Sequence, residues 1–395
     1  MSEVSKIYSS RDEIDTRYLR CWLEINLSKL KSNIESIRSI ISDKLDIICV
    51  VKANAYGLGS LNISKYLESI GIKYFAVATL QEALELRLDA GIKGEIIILS
   101  WTSPEEKETL IKYNITQTLI DYKYSKKLNE QPGVVKCHMK IDTGMNRFGQ
   151  NMDDIENIKE IYSFKNLKIT GIFSHLSCVR EFGEEADEFT KMQIYNFDKI
   201  IQELENSGIN VGLKHIMNSF GILRFNDKKY DLVRPGLLMY GITPDPTNLE
   251  IDKLLEKYHL EPIASLRCKV MCVKTVEKGE EVGVNDTIIV EEESKFALIS
   301  VGFADGITLA NKEKEYNVII KGHYCPLIGS IFMDHSIVKI PFDSDIEEGD
   351  IVTLFGYIDN DKKHLNHKEW LSKSGSPIGE SLSRLGERIT RISHL

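Results

Sequence analysis

The chain has no long apolar segment of the kind that crosses a membrane. Its longest apolar runs, such as residues 96–99, are far shorter than the roughly 18 residues that a spanning helix needs. The first 18 residues are polar and carry both charge signs, which excludes a secretion signal and an arginine-rich transit peptide. We therefore expect a cytoplasmic protein with no membrane partner.

The sequence also lacks a disulfide framework and a convincing metal site. Its seven cysteines are odd in number and widely scattered, which is typical of reduced thiols in a core. Cys268 and Cys272 fit one strand face without partner ligands, and His364 and His367 have no third ligand at a suitable spacing. Because zinc needs a fuller ligand set, we expect no bound metal.

Excess positive charge and a nucleotide-binding turn are missing as well. A formal net charge of −9 and a pI near 5.6 exclude a protein that binds the phosphate backbone of a nucleic acid. No Gly-x-Gly-x-x-Gly turn follows any apolar run, which weakens a dinucleotide-binding open sheet. The composition, with 42% hydrophobic and 28% charged residues, is globular. A small-molecule ligand is the better expectation.

What is present is a regular alternation of strand and helix patterns. Almost continuous apolar character in the strand runs is typical of parallel strands that helices cover on both faces. Eight such units predict a closed (β/α)8 TIM-type barrel, although an open doubly wound sheet has the same alternation. The eight runs are residues 46–52, 74–79, 95–99, 116–120, 135–142, 168–174, 213–217 and 232–240.

Helix boundaries are marked at two places. Thr79 and Glu82 have the spacing of a capping box, and Gly91 is placed to end the helix that follows. Before the first run, Ser28 is the candidate N-cap of a helix with apolar residues at helical spacing.

The pattern changes near residue 243, where two prolines interrupt the alternation. A helix over 249–258 is followed by short strands separated by Gly and Asp turns, with a closing helix over 382–389. This predicts a mainly-β C-terminal domain. We place a polar extension at 1–18, the barrel at 19–258 and the β domain at 259–395.

The sharpest candidate for chemistry is Lys52, which ends the first apolar run and precedes a turn with two glycines. A lysine in the mouth of a barrel is partly desolvated, which lowers its pKa and frees an amine for imine formation. The alternative is that the side chain extends to solvent, as most lysines at strand ends do.

The sequence resembles the alanine racemases, pyridoxal 5'-phosphate enzymes with a barrel joined to a C-terminal β domain. The resemblance covers nearly the whole chain from Cys21 to Arg391. It rests on six motifs in the same order, at residues 51–57 (VKANAYG), 140–149 (KIDTGMNRFG), 171–175 (GIFSH), 218–219 (NS), 233–241 (VRPGLLMYG) and 333–334 (MD).

The resemblance implies a role for each residue around the cofactor. Lys52 is the imine-forming lysine and a base on one face of the substrate. His175 lies against the pyridine ring, the alternative being a core histidine bonded to its neighbours. Arg234 donates to the ring nitrogen and so keeps the ring a weak electron sink, the alternative being an ion pair at the barrel mouth, for which Asp231 is a nearby partner.

Phosphate binding is expected in the loops after strands seven and eight, where Ser219 doubles as a candidate helix cap. The cofactor residues that the resemblance implies, besides Lys52, His175 and Arg234, are Tyr56, Asn218, Ser219, Gly236 and Leu237.

For the substrate, the resemblance implies that Arg147 binds the carboxylate, since a planar fork suits a planar anion. Lys140 supports that arginine, as a carbamate in many family members, or else pairs with Asp142. Met333 with Asp334 resembles the pair that lines the active site of the opposite subunit. A homodimer with a shared site is therefore implied.

Three positions depart from the family pattern. Val284 stands where the family has the tyrosine base of the partner subunit, Gly379 replaces a phosphate-binding tyrosine, and Leu58 replaces a histidine. Valine cannot exchange a proton, and racemisation by two bases needs an acceptor on each face. The candidate substitutes are Tyr316, Tyr324, Asp286 and His335.

The expected function is therefore a racemase that interconverts L- and D-alanine or a related small amino acid. The alternative is another reaction of the same cofactor on an amino acid: decarboxylation, aldol cleavage or one-sided epimerisation.

Overall fold

The computed structural model describes residues 16–225, 229–242, 249–283, 287–308, 316–358, 363–365 and 376–395. These residues form two compact units. One unit comprises residues 30–241 and 252–261 in their described parts, and the other comprises residues 16–29, 242–251 and 262–395 in theirs. Among the described residues, no helix has the length and apolarity to cross a bilayer.

The first unit is a parallel barrel of eight strands, which confirms the predicted fold class. Its strands run in the order β10-β2-β3-β4-β5-β6-β8-β9, with a short β7 (Gln150–Asn151) beside β6. The isolated parallel bridge of Asn218 with Arg234 continues the ring between its two ends. Counting the N-terminal strand of the other unit as β1 (Cys21–Asn26), the barrel strands are β2 (Asp46–Val50), β3 (Tyr74–Val77), β4 (Glu95–Ile98), β5 (Ile115–Leu119), β6 (Val135–Asp142), β8 (Leu167–Phe173), β9 (Leu213–His215) and β10 (Leu232–Val233).

Burial on both faces explains why these strands read as continuous apolar runs. In β4, for example, Ile96, Ile97 and Ile98 are all fully buried. One side of each strand faces the barrel interior, where Ile48, Ile97 and others form a cluster. The opposite side packs under the helices, since a parallel sheet must be covered on both faces.

Helices follow the barrel strands, and their caps are local features of the sequence. The predicted capping box is confirmed: Glu82 N donates to Thr79 Oγ1 at 3.2 Å, and Thr79 N donates to Glu82 Oε2 at 3.3 Å. Ser28 was the wrong cap, because Asn26 Oδ1 accepts from Lys29 N at 2.8 Å. The described α-helices with regular geometry are Leu27–Ile40, Ser60–Ser69, Leu80–Leu84, Lys107–Lys112, Tyr122–Glu130, Ile155–Ser163, Glu184–Asn206, Ser219–Arg224, Leu249–Lys257 and Ile378–Ser383.

The last barrel strand is shorter than the sequence predicts. β10 ends at Val233, and the predicted remainder of the run contains a 3-10 helix at Leu237–Tyr240. The reason is Pro235, which has no N–H to continue the ladder, followed by Gly236. This break creates a loop at the carboxyl end of the barrel, where the cavity lies.

The second unit is mainly β, as predicted. Its large sheet has the order β19-β18-β15-β16-β17-β14-β11-β1-β20. We expected residue 19 onwards, and so the segment of β1, to belong to the barrel. Instead, β1 pairs antiparallel with β11 and parallel with β20 and is part of this sheet. The closing helix is Ile378–Ser383 rather than 382–389. The C-terminal strands are β11 (Ala264–Val276), β12 (Glu281–Val282), β13 (Ile288–Ile289), β14 (Ser294–Ile299), β15 (Asn317–Ile320), β16 (His323–Ile328), β17 (Ser336–Ile340), β18 (Ile351–Ile358), β19 (Lys363–Leu365) and β20 (Thr390–His394).

Gly212, just before β9, gives a stability prediction. Its φ is +73°, and a Cβ atom there would lie 2.3 Å from Thr170 O. We expect Gly212→Ala to destabilise the fold by about 2–4 kcal/mol, because left-handed strain adds to a clash with backbone that cannot yield. The midpoint of urea unfolding measures this loss.

Gly208→Ala is the matched control, because its φ is +77° and nothing lies within 4 Å of the added Cβ. It carries the conformational strain alone, which costs about 1 kcal/mol. Equal losses in the two variants would contradict the steric argument.

Candidate functional site

A cavity of about 480 Å³ opens at the carboxyl ends of the barrel strands, where TIM barrels place their active sites. It brings together ten residues that the sequence analysis singled out. They are Lys52, Tyr56, Lys140, Arg147, His175, Asn218, Ser219, Arg234, Gly236 and Leu237.

Lys52 follows β2 and leads into a left-handed turn. The φ values of Ala53, Asn54, Ala55 and Tyr56 lie between +52° and +56°, a conformation that costs each non-glycine residue about 1–2 kcal/mol. The turn is held by Gly57 N donating to Ala53 O and by Ala53 N donating to the Glu82 carboxylate. Such strain is typical of functional sites, where the surrounding structure imposes it.

Tyr56 and Ser219 line the cavity beside this turn. Ser219 Oγ accepts from Gly236 N at 2.9 Å, which ties the loop after β9 to the loop after β10. A Cβ atom on Gly236 would lie 2.6 Å from the Tyr56 hydroxyl, so any other residue there would displace that hydroxyl. Burial raises the pKa of Tyr56 to about 12, and its phenol therefore remains a hydrogen-bond donor.

Asn218, not Ser219, caps the helix Ser219–Arg224, since Asn218 Oδ1 accepts from Gly221 N at 3.1 Å. The helix-cap interpretation of Ser219 is therefore wrong. Its hydroxyl is committed to the Gly236 loop and faces the cavity. The Asn218 amide also donates to Leu176 O, which links the loops after β8 and β9.

Each of the two terminal nitrogens of Arg234 donates two hydrogen bonds. Nη1 donates to His215 Nδ1 at 2.8 Å and to His215 O, while Nη2 donates to Ser174 O at 2.7 Å and to Ile216 O. The ion pair with Asp231 does not form, because Asp231 Oδ2 accepts from Lys214 N instead. Nε is the donor that remains. Burial lowers the pKa of Arg234 to about 9, but the guanidinium is still charged at neutral pH.

Lys140 lies on β6, and its expected pairing with Asp142 is absent. Asp142 Oδ1 instead accepts from the amides of Gly144, Met145 and Asn146, which shapes the loop that carries Arg147. Burial is the main cause that lowers the pKa of Lys140 to about 7, and the charges of Arg147 and Arg234 add to the shift.

Lys52 and His175 are also shifted towards their neutral forms. Burial and the nearby Arg147 lower the pKa of Lys52. Burial and Arg234 lower the pKa of His175 well below its usual value, and this half-buried ring faces the cavity. As far as the described residues go, the lining includes Lys52, Lys140, Arg147, Arg180 and Arg234 but no carboxylate. The cavity therefore suits an anionic ligand.

The remaining predicted residues are elsewhere or outside the described part. Met333 and Asp334 lie in the C-terminal unit, where Arg388 donates to Asp334 Oδ1 at 2.7 Å. Val284 and Asp286 fall outside the described residues. Leu58 is buried behind the Lys52 turn, and Gly379 is in the helix Ile378–Ser383.

Sequence reasoning missed His138 and His215. The two rings contact each other inside the barrel, and His215 also contacts Arg234. One signal was available for His138. It precedes Lys140 by two positions on β6 and therefore lies on the same face of the strand.

The comparisons with known proteins cover almost the whole chain. A family model for the alanine racemase N-terminal domain matches residues 25–244, and one for the alanine racemase C-terminal domain matches residues 263–393.

Curated relatives fall into two groups by length. An amino-acid racemase of Enterococcus faecalis is 36% identical over 91% of this chain but only 51% of its own length. The chain thus spans about half the length of the first relatives it matches. Alanine racemase 2 of Caldanaerobacter subterraneus subsp. tengcongensis is 32% identical, with 94% of each chain covered.

Solved structures agree with the fold. An alanine racemase from Clostridium difficile 630 superposes with a TM-score of 0.86 at 30% identity, covering 95% of this chain and 96% of that one.

Proposed function

Because the chain belongs to the alanine racemase family, whose members depend on pyridoxal 5'-phosphate, we propose that it interconverts the L and D forms of alanine or a related small amino acid. The observation that carries the proposal is the partly desolvated Lys52 amine in a cationic cavity at the barrel mouth. The names of the relatives favour racemisation over decarboxylation or aldol cleavage.

The residues of the cavity fit this cofactor. The Cβ-free cradle at Gly236, with Ser219 and Tyr56 beside it, suits a phosphate group. Arg234 Nε is the donor available for the pyridine nitrogen, and Lys52 supplies the amine for covalent attachment. When bound, the cofactor acts as the electron sink that acidifies the substrate α-carbon.

Each side chain then has a defined task. Arg147, exposed at the cavity rim, binds the substrate carboxylate through its planar fork. The Lys52 amine takes or returns the proton on one face of the α-carbon. Arg234 stays charged at neutral pH even with its pKa lowered to about 9. It would therefore keep its own proton beside the ring nitrogen, which would moderate the electron withdrawal and disfavour side reactions.

The opposite face needs a second proton acceptor, which Val284 does not provide. We propose a homodimer in the cytoplasm, in which the C-terminal unit of the partner completes the site with its Met333 and Asp334 counterparts. Of the candidate substitutes, Tyr324 is 60% exposed, whereas Tyr316 is buried and His335 stacks on Phe332 at 4.6 Å. Of the three candidates that the structure describes, Tyr324 is therefore the best placed to reach another subunit.

A chiral assay tests the activity directly. Purified, cofactor-loaded protein is incubated in deuterium oxide with L-alanine, L-serine and a panel of larger L-amino acids. We expect the D enantiomer to appear, with deuterium at the α-carbon of both enantiomers. Amine and carbon dioxide without any D product would overturn the proposal in favour of decarboxylation.

Lys140 carries a prediction about carbon dioxide. With a pKa of about 7, its neutral fraction rises as pH increases from about 6 to about 8, and only the neutral amine adds carbon dioxide. We expect a carbamate that supports Arg147, seen as a 13C signal after 13C-bicarbonate labelling. Lys140→Ala should lose this signal and raise KM about tenfold.

The control is Lys107, which is buried but donates to Leu128 O at 2.9 Å and to Gln131 O at 2.8 Å. Two carbonyl acceptors favour the ammonium form of Lys107, which has no lone pair for carbon dioxide, and we therefore expect no label on Lys107. A bicarbonate-dependent signal that persists in Lys140→Ala would assign the carbamate to another lysine.

A further inference from the structure

A row of buried polar side chains runs inside the barrel from Arg234 away from the cavity. Arg234 Nη1 donates to His215 Nδ1 at 2.8 Å, and His215 Nε2 lies 2.9 Å from His138 Nδ1. Glu95 Oε1 lies 3.9 Å from His138 Nε2. The proposed reaction uses only the first member of this row, so the other three need an explanation.

Donor and acceptor chemistry fixes the direction of the row. A guanidinium can only donate, so His215 Nδ1 must accept and the ring proton of His215 sits on Nε2. That proton points at His138 Nδ1, which must therefore accept as well. The ring proton of His138 is left on Nε2, on the side of Glu95.

Both histidines are neutral in this arrangement. Burial and the charge of Arg234 lower the pKa of His138 to about 3, and the same causes lower the pKa of His215 well below its usual value. Each ring thus carries one proton, and its state is fully described by which nitrogen, Nδ1 or Nε2, holds that proton.

At the far end of the row, the Nε2–H of His138 faces the carboxylate of Glu95. His138 Nε2 is buried and has no hydrogen-bond partner in the described part of the chain. The Glu95 carboxylate beside it is within ion-pair range but beyond a direct hydrogen bond. Thr116 Oγ1 donates to the same Glu95 oxygen at 2.7 Å and holds the carboxylate in place.

Packing prevents the rings from turning away. A Cβ atom on Gly171 would lie 2.8 Å from the His138 ring, so the imidazole rests directly on the backbone of β8. Phe173 stacks on His215 with centroids 4.8 Å apart and an interplanar angle of 5°. The row is therefore held from the sides by packing, and its far end faces one carboxylate at 3.9 Å.

We propose that Glu95 is a positioning residue of the site. By attracting the Nε2–H of His138, it keeps both histidines in the Nε2–H form and so keeps Arg234 aimed at the cavity. Glu95 is the first residue of β4, at the end of the barrel opposite to the cavity, and never touches the substrate. The inference rests on the proposed function, because Arg234 acts there as the donor to the cofactor nitrogen.

The test reads the histidine protons directly. Holoenzyme labelled with 15N-histidine is compared as wild type, Glu95→Leu and Glu95→Gln, with signals assigned by single histidine substitutions. We expect Nε2–H patterns for His138 and His215 from about pH 5 to about pH 9. Glu95→Leu should move His138 away from a pure Nε2–H pattern and lower kcat about tenfold with KM unchanged.

Conservative and matched variants separate positioning from stability. Glu95→Gln should keep the wild-type pattern and most of kcat, because its amide oxygen also accepts. Asp46→Asn is the control, since Asp46 begins β2 at the same barrel end and, in the described part of the chain, contacts the exposed Lys73 and accepts from Ile47 N. If Glu95→Leu does not fold, Thr116→Val releases the carboxylate and should produce the same His138 change in weaker form.

An Nδ1–H pattern for His138 in the wild type would overturn the proposal. So would a Glu95→Leu protein whose histidine patterns and kcat stay within about twofold of the wild type. The spectra do not depend on turnover. A chain that racemises no amino acid but shows the expected patterns would therefore refute the proposed function and leave the order of the row intact.

Discussion

Lys52→Ala is expected to abolish racemisation, with kcat reduced about 10³- to 10⁴-fold. The variant loses both the amine that attaches the cofactor and the base on one face of the α-carbon. Borohydride reduction of the wild type followed by peptide mass spectrometry should place the reduced cofactor on Lys52. The same treatment of Lys52→Ala should release the cofactor without a label, and its yellow absorbance band should be absent.

The competing candidate is Lys140, which lines the same cavity and has a pKa lowered to about 7. Recovery of the label on Lys140 in the wild type would contradict the assignment of Lys52. Lys73→Ala is the control, since that side chain is 72% exposed and pairs with Asp46. It should retain wild-type activity and labelling.

Arg147→Leu should have the second largest effect, a loss of about 10²- to 10³-fold in kcat/KM for alanine. The side chain is exposed at the cavity rim and makes no hydrogen bond or ion pair with the described residues. Its removal therefore leaves no orphaned partner, and we expect the unfolding midpoint to stay unchanged. Arg147→Lys should recover only part of the loss, since an ammonium cannot form two parallel bonds to a carboxylate.

Arg180→Leu is the matched control for charge, because Arg180 also lines the cavity and is exposed. If Arg147 acts only by making the cavity cationic, the two variants should lose kcat/KM equally. Equal losses would contradict a bidentate role for Arg147. A lowered unfolding midpoint in Arg147→Leu would show that the residue supports the fold instead.

The barrel was readable from the sequence because its strands are buried on both faces. In β4, residues 96–98 are apolar without alternation, as expected for parallel strands that are covered on both faces. The boundaries were less readable. The last run continues to Tyr240 in apolar character, yet β10 stops at Val233, because the backbone of Pro235 cannot pair whatever the apolar content of the run.

The motifs indicated which residues line the candidate site, but they did not indicate which of these residues contact each other. Lys52, Arg147 and Ser219 are far apart in sequence and meet at one cavity, as expected for residues that follow the carboxyl ends of parallel strands. Their individual partners were harder to foresee. Asp142 was a candidate partner for Lys140 but binds three amides of its own loop, which satisfies the carboxylate locally and leaves the lysine unpaired.

By itself, the sequence determined the barrel, the mainly-β C-terminal unit and the identity of the cavity residues, because apolar periodicity and motif spacing are local properties of the chain. Only the tertiary structure decided which groups meet across the barrel: the row from Arg234 through His215 and His138 to Glu95, and the lowered pKa of Lys140. Burial and the closeness of charges arise when the strands close into a ring, and sequence separation carries no information about either.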